Sequence, residues 1–284
     1  MVTIHPATLA DLRDSRSRPW LLDLVSRDIG GGKVDVAQVN SLEVPTTVTA
    51  LRISGLDQAS FEALVAGLGS QVTAIDFWKC PRIADLSALE DLPHLRLVSF
   101  YWNQRATRLW DFRRTPHLSG LRFYDFSRLH SLADLPSATS LVELDFGDAV
   151  WDTAVFDTLD PLSELKGLHS LTLSAKKIID GRVEPLAALQ QLESLVFSSR
   201  QFTMAQIAWL RAHLPDTLRS ESLDALTSLS PALRGETKEL DVLLNGKRKP
   251  FLNSTIDRSR IQKHVAQFDA MVARFREDPS LPPE

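Results

Sequence analysis

Leu118-Ser119-Gly120-Leu121-Arg122-Phe123-Tyr124-Asp125-Phe126 carries large apolar side chains at its first, fourth and sixth places, and the same spacing returns on both sides of it. Upstream stand Val48-Leu51-Ile53, Val72-Ile75-Phe77 and Leu95-Val98-Phe100; downstream stand Leu141-Leu144-Phe146, Leu168-Leu171-Leu173 and Leu192-Leu195-Phe197. The starts lie 24, 23, 23, 23, 27 and 24 residues apart. Self-similarity at such a period means one supersecondary unit repeated, which buries its apolar face only by stacking on its neighbours. Along a strand the fourth and sixth places share one face, while the third, fifth and seventh share the other. The apolar pair is therefore core, and the residues between them line a surface.

Leucine supplies 45 of the 284 residues, without any run long enough to suggest a membrane protein. After the strands of several units, leucines recur every third residue, as in Ile83-Leu86-Leu89-Leu92 and Leu129-Leu132-Leu135, which suits tight 3₁₀ turns. Together these features resemble the leucine-rich-repeat family in its short, internalin-type, bacterial-like form, over about residues 48–217. The resemblance implies an α/β solenoid with a parallel concave β-sheet, a mixed 3₁₀ and helical convex side, and helical terminal caps. At the ninth place the family carries a buried Asn or Cys bonded to turn backbone. Only Cys80 and Asn103 match there; Leu56, Phe126, Ala149, Lys176 and Arg200 hold the other places, so an interrupted polar ladder is expected.

Around the seven repeats of residues 48–217 the chain divides into an N-terminal cap, 1–47, and a C-terminal cap, 218–284. In the first, Trp20-Leu21-Leu22-Asp23-Leu24-Val25 reads as a short buried helix ended by Gly30-Gly31-Gly32. In the second, Leu240, Val242 and Leu244 alternate into Asn245-Gly246, a hairpin signal. Ser254-x-x-Asp257 then opens an amphipathic helix bearing Ile261, Val265, Phe268, Val272 and Phe275 until Pro279, read as a lid on the last repeat, with docking on a partner as the other use. Two units read as helical on the convex side: Phe61, Leu64 and Leu68 after Ser60, and Ile207, Leu210 and Leu214 behind the Thr203–Gln206 capping box.

A net charge of -4 supplies no basic excess to neutralise phosphates, so nucleic acid is not the expected partner. One cysteine excludes a disulfide framework or a cysteine-rich zinc site and suits a reducing compartment; with no leader pattern and no membrane span in the sequence, a cytoplasmic location is expected. The triglycine before Lys33 fails as a phosphate loop, because Arg27 and Val34 stand where a glycine and a hydroxyl are required. His94 and His117 would stack in adjacent repeats, but Ser140 continues their column, so no metal set forms. No nucleophile elbow, zinc-protease motif or dinucleotide fingerprint occurs, and Cys80 reads as structural. The sequence thus predicts no enzyme, no catalytic residue, no metal and no cofactor.

What the repeat exposes is more specific. The seventh places read Ser54, Trp78, Tyr101, Tyr124, Gly147, Ser174 and Ser198, three consecutive aromatics in one column, with Trp102 beside them at an eighth place. Asp76, Arg122 and Asp145 occupy fifth places, and the face turns acidic through Asp125, Glu143, Asp145 and Asp148. These ten residues are the expected binding surface of a non-catalytic protein–protein interaction module whose partner protein offers a basic element. A carbohydrate-binding solenoid, or an intracellular immunity or adaptor protein, is the alternative.

Overall fold

The repeated apolar pairs form strands, and their spacing sets the register. The computed structural model describes residues 6–13, 18–235 and 239–283. Its strands are β1 (Leu21–Leu24), β2 (Ala50–Ile53), β3 (Ala74–Trp78), β4 (Leu97–Asn103), β5 (Gly120–Phe126), β6 (Glu143–Gly147), β7 (Val155–Phe156), β8 (Ser170–Ser174), β9 (Lys177–Ile178) and β10 (Ser194–Phe197). Eight of them make one parallel sheet in the order β1-β2-β3-β4-β5-β6-β8-β10, while β7 and β9 pair with each other. Fourth place pairs with fourth along the stack, from Leu51↔Ile75 and Ile75↔Val98 to Leu144↔Leu171. A one-residue slip would turn every core side chain outward, which is why the register is so uniform.

Inside the arc the sixth-place rings build a spine. Phe77 and Phe100 stack at 4.6 Å, and Phe123 and Phe146 at 5.3 Å. Phe126, a ninth-place residue, meets Phe100 and Phe123 edge-on at 5.7 and 5.8 Å, so an apolar ring fills the place that the polar ladder vacates. Where the ladder survives it works as expected. Asn103 Nδ2 donates to the carbonyls of Cys80 (3.4 Å) and Ile83 (2.9 Å), and its Oδ1 accepts from the Arg105 and Ala106 amides.

The convex side carries 3₁₀ turns at Ser87–Asp91, Phe112–Arg114, Leu135–Ser137, Asp160–Glu164 and Glu184–Ala188. Four other segments coil as α-helices: α1 (Leu9–Arg13), α2 (Val36–Asn40), α3 (Gln58–Gly67) and α4 (Met204–His213). Of these α1 lies on the opposite, concave side, against β3, β4 and β5. The Thr203–Gln206 capping box opens α4 as read from sequence, whereas α3 starts earlier than Ser60, behind the capping box of Asp57 with Ser60. A parallel sheet in strict repeat register, backed by 3₁₀ turns and helices, is the leucine-rich-repeat solenoid.

Three sequence expectations are corrected at the ends. Residues 20–25 do not coil: β1 pairs with β2, Asp23 opposite Arg52, with Leu22 and Leu24 against the repeat core and Leu21 on the concave face beside Trp20, the residue before the strand. Asn245-Gly246 is no two-residue turn. A longer loop joins β12 (Glu239–Leu244) to β13 (Phe251–Leu252), β12 also pairs with β11 (Leu226–Arg234), and buried Asn245 donates to the Glu221 and Asp224 carbonyls at 3.0 and 2.9 Å. The last helix, α5 (Arg258–Glu277), begins behind Asp257, while Ser254 instead bonds Asp241. It lies on α4 and buries Phe268 and Phe275 against the repeat core. Among the described residues no helix is long and apolar enough to cross a membrane.

Candidate functional site

The third places of the first five repeats, on β2 to β6, are Ala50, Ala74, Leu97, Gly120 and Glu143. Small residues there leave a trough across the concave sheet, and the protein's own N-terminal segment lies in it. Leu9, Leu12 and Trp20 pack with Ala50, Ala74 and Leu97 as a second apolar cluster, separate from the repeat core. Gly120 leaves room for it, since a Cβ there would stand 3.0 Å from Leu9 Cγ and 2.7 Å from Leu97 Cδ2 and push on both leucines.

Polar groups fix the segment from below. Leu9 N–H donates to Glu143 Oε2 (2.9 Å), the Leu9 carbonyl accepts from Arg122 Nη1 (3.2 Å), and Arg52 Nη2 donates to the Leu12 carbonyl. Each arginine is itself held by a carboxylate on the next strand: Arg52 Nε by Asp76 at 3.0 Å, and Arg122 by Asp145 at 2.7 Å. Asp76 is enclosed, and burial pushes its carboxyl above the usual range against the pull of Arg52, the Ser99 hydroxyl and Arg122. The expectation that the fifth-place charges face solvent is therefore corrected. Asp76, Arg122, Glu143 and Asp145 come together, as a layer beneath α1.

The aromatic column divides. Trp78 and Tyr101 stack at 4.2 Å with their planes 12° apart, half-buried, beside a cavity of about 290 Å³ lined by them with Asp23, Val25 and Arg52. Lys79 Nζ lies 5.9 Å from the Trp78 ring centroid and donates to the Ile29 carbonyl. Tyr124 follows in register opposite Tyr101 but is 8% exposed, with the Arg122 guanidinium 6.0 Å from its ring. It belongs to the buried layer, not to an open strip.

Beyond the seventh place the chain turns sharply. Gly55, Lys79, Trp102 and Asp125, all eighth-place residues, have φ of 77°, 53°, 67° and 57°. For a bulky side chain such as Trp102 this left-handed conformation is a true outlier, of the kind that the surrounding structure must hold in place. The turn brings Trp102 and Asp125 to one cavity of about 330 Å³, completed by Gln104, Ser127, Trp151 and Thr153. Asp125 Oδ1 accepts the backbone N–H groups of Ala149, Val150 and Trp151 at 3.0 to 3.2 Å. Asp125 Oδ2, buried, finds no hydrogen-bond partner among the described residues. Asp148 folds the next loop in the same way, taking the Thr153 and Ala154 amides. Burial raises its carboxyl, those amides oppose, and the charges of Asp125 and Asp152 push it further up.

Sequence reasoning missed Trp151, 54% exposed in the longest of the inter-repeat spacings, and the docking of α1. The smallness of Ala50, Ala74 and Gly120 was the available signal for the latter. His94 and His117 are both exposed. Burial drives the Cys80 thiol up to about 12, so it stays protonated at neutral pH and is no nucleophile there.

No family model matches the chain, and no curated protein matches it. Among solved structures it is similar to the Toll chain of the Drosophila Toll–Spatzle complex, at 18% identity and a TM-score of 0.47 over 66% of this chain and 25% of that one. It is also similar to internalin C2 of Listeria monocytogenes, at 16% identity and a TM-score of 0.35 over 58% of this chain and 77% of that one. The TLR13–ssRNA13 complex matches at 15% identity and a TM-score of 0.44, over 63% of this chain and 29% of that one. This chain thus spans about a quarter of the Toll chain.

Proposed function

We propose that the protein is a non-catalytic protein-interaction module, and that a partner protein bearing a basic element docks along the C-terminal ends of its strands. Trp78, Tyr101 and Trp102 form the centre of the contact, and the acidic residues Asp125 and Asp148 set orientation. The observation that carries this reading is the half-buried Trp78–Tyr101 stack, set on two rigid parallel strands next to the trough that α1 already fills. Rigid aromatics bury much area with few rotors, which is why Trp and Tyr dominate interface hot spots. Arg122 and Asp145 serve the reading at one remove, by holding α1 in place.

The test is affinity capture followed by calorimetry on the captured partner. Trp78→Ala should weaken the complex about thirtyfold, from a central-ring loss of roughly 2 kcal/mol, while Lys166→Ala on the convex side leaves it unchanged. Equal affinities for the two variants would move the contact elsewhere.

A further inference from the structure

The Trp102–Trp151 cavity has the chemistry of a cation site. Two indoles flank it, one of them half open to solvent, and neither is stacked on another ring among the described residues. Asp125 supplies a carboxyl group whose Oδ1 is saturated by three amides while Oδ2 is left over. Asp148 on the next loop feels the charges of both Asp125 and Asp152, and none of the three carboxylates is in an ion pair among the described residues. A buried carboxylate oxygen without a donor is costly, and a ligand that neutralises it recovers that cost.

We infer that this cavity takes an alkylammonium group, the head of a lysine side chain on the partner protein. This rests on the reading above and names the basic element that it requires. The indole faces attract a cation through their quadrupole, and an ammonium, a compact point charge, can aim one N–H at a single acceptor while its other two stay hydrated. A guanidinium fork is matched by two carboxylate oxygens, and here a single one remains. Trp102 and Asp125, both with left-handed backbone, line the same cavity.

The probe is n-butylammonium chloride, titrated at constant ionic strength against n-butylguanidinium chloride and n-butanol, and read from the indole N–H resonances of the intact, isotope-labelled protein. The Trp102 and Trp151 signals, assigned with Phe variants, should shift saturably with butylammonium, half-saturating on the order of 10 mM, the range that five heavy atoms can supply. Butylguanidinium and butanol should bind at least tenfold more weakly. Asp125→Asn keeps the Oδ1 acceptor and tolerates a positive φ, so it should stay folded yet lose butylammonium at least tenfold. Trp151→Ala, which removes an exposed ring, should lose a similar factor. Absent saturation, an equal response to butanol, tighter guanidinium binding, or unchanged affinity in a folded Asp125→Asn protein would each overturn the inference. If the cavity fails while Trp78→Ala still loses the partner, the interaction reading survives alone. If butylammonium saturates while Trp78→Ala binds normally, the cavity survives and that reading falls.

Discussion

Gly120 shows how much of this molecule hangs on single side chains. Its missing Cβ admits Leu9 to the concave trough, so Gly120→Val should unseat α1 and cost about 1–3 kcal/mol through overpacking. The checks are a lowered melting temperature and faster proteolytic clipping ahead of Trp20; parental values for both would show that the trough tolerates a side chain. Cys80 gives the opposite kind of expectation. With its thiol buried, held near 12 and directed at the Ile53 carbonyl, it should resist a thiol reagent at pH 8 in the native protein and react at once in denaturant. Rapid native labelling would mean that the second and third repeats open locally. Both roles follow from place within the unit. The ninth place of Cys80 was legible in the sequence, because family and spacing agree there. The third place of Gly120 was not, because its partner lies more than one hundred residues upstream.

At the scale of elements, strands of the solenoid were legible because the spacing of core residues is local and periodic, and the Thr203 cap because a capping box is a four-residue signal. Trp20–Val25 was misread because a short apolar run without periodicity fits helix and strand alike, and the edge of β2 decided between them. Trp151 escaped because irregular loops carry no period. The C-terminal helix α5 adds a pH response. His264 Nε2 donates to the Ala225 carbonyl at 2.9 Å, and burial, with Lys249 adding to it, holds this imidazole below its usual value against the pull of that carbonyl. The folded state therefore binds the proton less tightly than the unfolded chain does. Its contribution to stability is complete above about pH 6.5 and is lost as the pH falls below that value. Melting temperatures measured from pH 8 to pH 5 should thus fall more steeply for the parent than for His264→Gln, whose amide still donates to Ala225. Parallel slopes would remove His264 from the account.

For the whole molecule, the decisive feature is the N-terminal segment laid across five repeats. A solenoid without such a segment is a one-dimensional stack in which each unit answers only to its neighbours, so its ends can fray independently. Here Leu9 bonds Glu143, Arg122 reaches Leu9 and Arg52 reaches Leu12, which couples the first half of the array into one unit. Deleting residues 1–13 should lower the melting temperature by several degrees and broaden denaturant unfolding, with far-ultraviolet dichroism still that of a parallel sheet; an equally sharp transition at the parental midpoint would refute the coupling. The same arrangement bears on how the protein is made. Leu9 precedes its partner Glu143 by 134 residues. At a synthesis rate of about 5–20 residues per second, the Leu9 amide waits roughly 7–27 s on the ribosome before its Glu143 partner exists. During that interval the nascent chain offers a short greasy segment to any chaperone, and the final docking of α1 is a clock that starts only when the fifth repeat has emerged.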